Sequence, residues 1–295
     1  MQVFVTGATG FIGGAVVREL QANGHQVVAL TRSDSGAQRL QAAGVDVYRG
    51  SIDEPESLRA GASAADGVIH TAFDHSNLGA LSAAAVKDLA VVQALGEELA
   101  GSGKPFVTTY GTTAIRPGAV LTEDVRPFPL EGRGLVEAQT LQWAEKDVRA
   151  VSVRPSTVVH GPGVVGFVHF LIATAKEKGF SAYPADGSNR WPAVNVADAA
   201  SLYRLALENA PAGSVVHAVQ DEGVTSGQIA EAIGHGLNLP VRPIPVEQAA
   251  DHFGWLGPLF GIDIPASSQA TQDLLSWRPT RPGLLENLRE VEIFA

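Results

Sequence analysis

Apolar positions along the first 155 residues alternate between two periods. Short β-branched runs at Val3–Thr6, Gln26–Thr31, Val45–Tyr48, Gly67–His70, Pro105–Thr109 and Ala150–Arg154 predict strands. Between them the apolar residues recur at helical spacing. Ile12, Ala15, Val16 and Leu20 share one helix face, which Asn23-Gly24 ends. Further helices are predicted over Ala37–Ala42, from a first turn at Pro55, over the Ala-rich stretch Gly79–Leu99, and over Leu135–Lys146. Near-continuous apolar strands such as Val27-Val28-Ala29-Leu30 suit a sheet covered on both faces. Strand and helix in alternation imply crossover connections, hence an α/β class with a doubly wound parallel sheet.

After Gly161-Pro162-Gly163 the rhythm loosens, and Pro and aromatic residues become more frequent. Residues 161–192 and 220–295 are expected to form a smaller C-terminal substrate lobe. Residues 193–219 are expected to return to the 1–160 core through a strand at Val215–Val219. With no internal repeat or low-complexity linker, one unit with a cleft between two lobes is predicted.

The first strand and first helix are joined by Thr6-Gly7-Ala8-Thr9-Gly10-Phe11-Ile12-Gly13. Gly7 allows a sharp turn off the strand, Gly10 leaves room for a diphosphate, and Gly13 lets the helix pack close to the sheet. The helix N-terminus presents free N–H groups to that diphosphate. A strand before the loop, an amphipathic helix after it and a second strand on schedule make this a Rossmann-type site for a nicotinamide dinucleotide. The plain alternative is a ligand-free turn. The second strand ends in Thr31-Arg32-Ser33, where a residue binding the ribose of NAD would be acidic. Arg32 and Ser33 can instead hold a 2′-phosphate, which favours NADP; Asp34 close behind keeps NAD as the alternative.

The loop Thr6–Gly13 resembles that of the extended short-chain dehydrogenase/reductase family, also called the NAD-dependent epimerase/dehydratase family. Val68–Ala72, Arg154-Pro155 through Gly163, Asn195–Ala200 and Leu275–Thr280 resemble its later segments in the same order. The resemblance implies a Rossmann core with a small substrate lobe. It implies that Gly7, Thr9, Gly10, Phe11 and Ile12 touch diphosphate and ribose. Ser51 and Ile52 would flank the adenine, Thr71 and Ala72 the ribose, and Pro155 and Thr157 the nicotinamide. The family's acid, a Tyr with Lys four residues on, is missing. Tyr48, Tyr110, Tyr183 and Tyr203 are followed at that spacing by Ile52, Ala114, Gly187 and Leu207. In the expected helix the best-matching pair is Arg133 and Glu137. The family's catalytic hydroxyl falls on Thr109 or Thr112, and Tyr110 is the candidate displaced proton donor, with packing under the cofactor as its alternative.

Composition narrows the rest. The 295 residues carry 21 Lys+Arg against 31 Asp+Glu, a net charge of −10, which disfavours nucleic acid and anionic membrane as partners. There is no cysteine, so thiolate chemistry is excluded, and no HExxH or carboxylate cluster suggests a metal. No leader precedes the first strand and no apolar run of about 18 residues appears, so a cytoplasmic location is the default. His75, Arg133, His160, Arg190 and Trp191 are the candidate substrate-facing side chains; for the histidines, a solvated or packed ring is the bland alternative. Phe253, Trp255, Leu256, Leu259 and Phe260 form either a lid over a partly apolar substrate or the core of the small lobe. The two helices Gly79–Leu99 and Leu135–Lys146 can pair in a homodimer or pack on their own sheet. The reading is an NADP-dependent oxidoreductase acting by hydride transfer on a small carbonyl or alcohol. A non-catalytic dinucleotide sensor and an NAD-dependent epimerase or dehydratase are its rivals.

Overall fold

Strand propensity, helix caps and glycine stops place the elements of the first half close to where the sequence pattern puts them. The computed structural model describes residues 1–74, 81–112, 118–127, 132–162 and 166–294. Its first half runs β1 (Gln2–Thr6), α1 (Phe11–Ala22), β2 (Gln26–Thr31), α2 (Asp34–Ala42), β3 (Asp46–Arg49), α3 (Arg59–Ala64), β4 (Gly67–His70), α4 (Leu81–Leu99), β5 (Pro105–Thr109), α5 (Gly132–Gln142) and β6 (Arg149–Pro155). Then follow β7 (Val158–His160), α6 (Phe167–Lys178), β8 (Ser181–Pro184), β9 (Arg190–Asn195), α7 (Val196–Asn209), β10 (Ser214–Ala218), β11 (Asp221–Thr225), α8 (Ser226–Leu237), β12 (Val241–Ile244), α9 (Ala249–Phe253), α10 (Gly257–Phe260), α11 (Gln269–Leu275) and α12 (Leu284–Asn287).

Among the described residues, seven parallel strands make the main sheet in the order β10-β6-β5-β4-β1-β2-β3. The order reverses between β1 and β4, and ligands of doubly wound sheets bind outside the strand ends at such a switch point. The expected return of Val215–Val219 is β10, an edge strand on β6. One apolar layer joins Val3, Val5, Val107, Val151 and Val153 to Val16 and Leu20 of α1 and to Leu202, Tyr203 and Ala206 of α7. The opposite layer joins Phe4, Val68 and Phe106 to Val91, Val92 and Leu95 of α4. The predicted helix over 79–99 is α4 from Leu81; Gly79 lies outside the described residues. The predicted helix over 135–146 starts earlier, at Gly132, and tightens into a 3-10 turn at Trp143–Lys146.

The lobe boundary differs from the expected one in two places. Val158–His160 lie outside the main sheet, because β7 pairs with β9 in a separate three-stranded sheet, β11-β9-β7, although Val159 still packs on the main apolar layer. The tail returns to the core late: Leu275 and Trp277 pack into the main apolar layer rather than the small lobe. Trp277 donates from Nε1 to Asp198 O at 3.1 Å and to Ser201 Oγ at 3.0 Å, so its one polar atom is satisfied in the interior. Phe253, Leu256 and Phe260 are core of the small lobe, and Trp255 remains 42% exposed beside Phe167 and Phe170.

Trp277 thus pins the C-terminal segment onto α7. Trp277→Ala is expected to cost about 3–5 kcal/mol of stability, read as a lowered urea midpoint at unchanged slope. Trp255→Ala should cost less, and equal losses would contradict this packing account.

Candidate functional site

Because the main sheet is parallel, the C-terminal ends of β1 to β6 lie along one edge, and nearly every candidate residue collects there. At β1 the chain turns through Gly7 at φ 75°, and a Cβ there would stand 2.6 Å from Ala72 N and Thr71 Oγ1. A Cβ on Gly13 would stand 2.1 Å from Gly7 O. Only glycine allows this approach of α1 to the loop. Gly10 is the N-cap of α1, with no side chain capping it and no acidic residue in the first turn. The N–H groups that open the helix are therefore left for an anion. Gly7, Thr9, Gly10, Phe11 and Ile12 all border this cradle, and Thr9 and Gly10 are exposed. Thr71 donates from Oγ1 to Thr6 O at 2.8 Å, fixing Thr71 and Ala72 against Gly7.

At the ends of β2 and β3 stand two arginines. The parallel register pairs Thr31 with Arg49, which places Arg49 beside the segment Arg32–Asp34. Arg49 donates to Ser33 O at 2.8 Å and to Asp34 Oδ1 at 2.6 Å. Arg32, its side chain 76% exposed, meets Asp53 at 3.2 Å. Ser33 caps α2 by accepting from Gly36 N, which leaves the hydroxyl proton for a ligand. Ser51 donates to Asp53 from Oγ, and Ile52 packs on the layer under β3. Lys87 of α4 bridges Asp53 at 2.5 Å and Asp74 at 2.8 Å, and holds the Asp53 carboxyl below its usual range. Arg49 and Lys87 escaped the sequence reading, since neither belongs to a motif and only register or helix placement brings them in.

Under the switch point runs a buried chain of polar groups. Thr6 Oγ1 stands 2.6 Å from His70 Nδ1, and His70 Nε2 stands 2.8 Å from Asp88 Oδ1. A carboxylate only accepts, so His70 carries its proton on Nε2, and the Thr6 hydroxyl donates to Nδ1. Asp88 could have been found in the sequence: it falls on the buried face of α4, in step with Ala84, Val91 and Leu95.

The ends of β5 and β6 carry the remaining candidates. Thr109 Oγ1 donates to His70 O at 3.0 Å, so it accepts from Tyr203 OH at 2.7 Å. Its single proton is committed to the backbone, so of the two candidate hydroxyls Thr109 has no proton left to donate in this arrangement. Thr112 is 1% exposed, and its Oγ1 lies 3.4 Å from that of Thr157. Thr112 N donates to Pro155 O at 3.0 Å, so the chain after β5 follows the end of β6. Tyr110 is half-buried against Leu121, Val219 and Ala266, and burial pushes its phenol up from the ordinary value of 10.0. It therefore stays protonated at neutral pH, as a proton donor must.

The two helix positions that match the missing Tyr and Lys have taken different roles. Glu137 turns inward and grips Arg154 of β6 through two bonds, Nε to Oε1 at 2.8 Å and Nη2 to Oε2 at 2.6 Å, with both side chains fully buried. Ser152 donates to the same carboxylate at 2.6 Å. The Arg154 guanidinium carbon lies 5.6 Å from the centre of the Tyr110 ring. Arg133 stays at the crevice, donating to Thr109 O at 2.5 Å and stacked 4.1 Å from the Phe73 ring.

Other expected substrate contacts lie elsewhere. Trp191, in β9, is 1% exposed in the small-lobe core and donates to Ile262 O at 3.2 Å. Arg190 is closed on Asp263 through two bonds. Trp191 is thus packed in the interior, whereas the Arg190 side chain is 40% exposed beside its Asp263 partner. His160 is buried beside Asn287 at 3.2 Å, and burial lowers its pKa. His75 lies outside the described residues. Asp198 does not cap α7; Asn195 does, and Asp198 instead accepts from Thr280 N and Arg281 N. Among the described residues no His, Asp or Glu cluster is placed to hold a metal, and no helix is long and apolar enough to cross a membrane.

A parallel sheet with a glycine cradle at its switch point defines a protein of the dinucleotide-binding Rossmann class. The chain belongs to the NAD dependent epimerase/dehydratase family, whose model matches residues 3–219. It is thus an enzyme of the nicotinamide-dinucleotide-dependent oxidoreductase and epimerase type. A protein of Schizosaccharomyces pombe, described as uncharacterized, is 43% identical over 98% of each chain. A 2-alkyl-3-oxoalkanoate reductase of Stenotrophomonas maltophilia is 28% identical over 70% of this chain and 66% of that one. The UDP-glucose 4-epimerase of Thermotoga maritima shares the fold at a TM-score of 0.77 and 21% identity, over 100% of this chain and 98% of that one.

The buried cluster behind Tyr110 carries a pH signature. His217 Nδ1 lies 2.8 Å from Ser267 O and Nε2 lies 3.3 Å from Arg154, so the ring is neutral and accepts at Nε2. Burial first, and Arg154 second, push its pKa down to about 4 from 6.5. Between these values the unfolded chain binds the proton and the folded chain does not, so stability falls as pH drops from 6.5 towards 4. The loss is about 3 kcal/mol if fully expressed. Urea midpoints measured across this window should fall with pH in the native protein and change less in His217→Asn; equal slopes would refute the assignment.

Proposed function

We propose that the protein is an NADP-dependent oxidoreductase that reduces a small carbonyl compound, with Tyr110 as proton donor. The observation that carries this reading is the meeting, at one sheet edge, of an uncapped glycine cradle and a protonated phenol in a half-buried crevice. The cradle fits the diphosphate, because the N–H groups that open α1 are uncapped, no acid stands in the first turn, and Gly10 leaves that helix start exposed without a side chain over it. Phe11 and Ile12 open the helix that receives it, and Ser51 and Ile52 border the adenine side. Arg32, Arg49 and the free proton of Ser33 favour a 2′-phosphate over a bare ribose. When bound, the nicotinamide supplies the hydride.

The chain's own part is binding, orientation and proton delivery. Pro155 and Thr157 continue the edge on which the nicotinamide would rest, and Thr112 supports Thr157 from beneath. Tyr110 gives its proton to the developing alkoxide, a strong base beside a phenol. The buried Glu137–Arg154 pair beneath the ring is internally neutral. It sets the ring's position and leaves the phenol's proton in place. The relative named as a reductase of oxoalkanoates supports the carbonyl-reducing direction.

NADPH should raise the melting temperature more than NADH at equal concentration. Arg32→Ala is expected to weaken NADPH about 10–100-fold, the worth of one charge-assisted bond, and to change NADH far less. An unchanged preference in Arg32→Ala would remove the assignment of the 2′-phosphate.

Tyr110→Phe tests the chemistry separately. Turnover with the best carbonyl substrate of a panel should drop about 10²–10⁴-fold while the NADPH-induced melting shift is kept. Full turnover in that variant would assign the proton to another donor.

A further inference from the structure

Arg133 stands apart from the closed ion pairs around it. It opens α5, whose first turn holds no acidic residue, so its charge lies on the positive end of a helix. Glu137, four residues on and its natural partner on a helix surface, is turned into the core and spent on Arg154. The nearest carboxylate in the described structure is Asp88, whose Oδ2 lies 4.0 Å from Nη2 and whose other oxygen is held by His70. Nε is buried without a hydrogen-bond partner. The side chain as a whole is 27% exposed.

The guanidinium is also held still. Thr109 O fixes one Nη, and the Phe73 ring fixes the plane. A surface arginine without purpose would swing into water; this one is anchored at the crevice, with its Nε unbonded among the described residues. The carbonyl that holds Arg133 belongs to Thr109, the residue before Tyr110, so the guanidinium stands at the end of the strand that leads to the donor. A fixed, planar cation with an unbonded Nε is built for a carboxylate, which matches its fork with two parallel bonds.

We propose that Arg133 takes the carboxylate of the substrate, which makes that substrate a small oxo acid. The inference rests on the carbonyl-reductase reading and narrows it. No bond to Arg133 forms or breaks. The residue orients the acid so that the carbonyl faces Tyr110, and the reduction balances as before: one hydride to carbon, one proton to oxygen.

The test compares 2-oxo and 3-oxo acids with their methyl esters on the NADPH-saturated protein. The native protein should prefer acid over ester in kcat/KM by roughly 10²-fold or more. In Arg133→Gln the acid-to-ester ratio should fall to within a few-fold of unity. Arg133→Lys, which keeps the charge and loses the fork, should recover part of it. Oxamate, an unreactive oxo-acid mimic, should raise the melting temperature of the NADP-saturated native protein and fail to do so in Arg133→Gln. The shift produced by NADPH alone, alike in both proteins, confirms that the variant folds. Esters reduced as well as acids, or an acid preference or oxamate shift that survives in Arg133→Gln, would overturn the proposal and leave the reductase reading standing. Binding of neither NADPH nor NADH would sink the reductase reading itself.

Discussion

One close approach governs the rest of the molecule. Helix α1 lies so near the turn after β1 that a single added carbon at Gly13 would meet Gly7 O at 2.1 Å. That contact sets the direction of α1, and with it the row of unpaired N–H groups at its start. Thr71 and Ala72 close on the other side of Gly7, so the end of β4 is tied to the same point. The His70–Asp88 pair then extends the tie to α4, and the Thr109 bond to His70 O extends it to β5. A displacement at Gly13 would therefore be felt at the crevice, three strands and one helix being tied together through these side-chain bonds.

A second constraint is electrostatic. Helices of a doubly wound sheet point their positive ends towards the strand ends that form the site. In α1, α4 and α5, which follow the strands around the switch point, no acidic residue sits in the first turn. In α2, which follows the more distant β2, Asp34 sits there and is matched by Arg49. A chain with net charge −10 has thus kept acids out of the first turns of these three helices, and the carboxylates that do reach the edge are paired with Arg32, Arg49, Lys87 or His70. Within that edge the Glu137–Arg154 pair adds no net charge. An ion pair buried this deeply contributes little to stability as a pair, while loss of either partner would strand a charge, at a cost of about 3–5 kcal/mol. Its effect is geometric: it joins α5 to β6 under Tyr110 at the place where similar proteins keep a Tyr and a Lys.

Much of this was legible beforehand, and the limits have physical causes. The period of apolar residues located the strands of the main sheet to within about two residues, because all but the edge strand β3 are largely buried and tolerate little else. The glycine loop was legible because each glycine answers a steric demand. Trp191 was not placeable in advance because residue type alone cannot tell a large aromatic in a core from one at a cleft; strand pairing of β9 decides it. Thr109 shows another limit. A hydroxyl at a strand end looks available until its neighbours are known, and Tyr203 comes from 94 residues away. Trp277 returned to the main core by a route that composition does not reveal, since its anchor is the carbonyl of Asp198. Asp88 was readable on its helix face but belongs to no motif, so only the fold joins it to His70.

The lost Tyr and Lys need not mean lost chemistry. In such a pair the phenol delivers a proton and the lysine keeps it deliverable near neutral pH from either direction. A phenol pushed upward by burial, as Tyr110 is, can still protonate an alkoxide, because that transfer runs strongly downhill. It is poorly suited to the reverse step, which needs the phenolate that burial disfavours. Replacing the lysine by a neutral buried pair thus costs one direction more than the other. If Tyr110 is the donor, as proposed above, its surroundings suit the making of alcohols from carbonyls better than the work of an epimerase, which must run the same proton transfer both ways on one substrate.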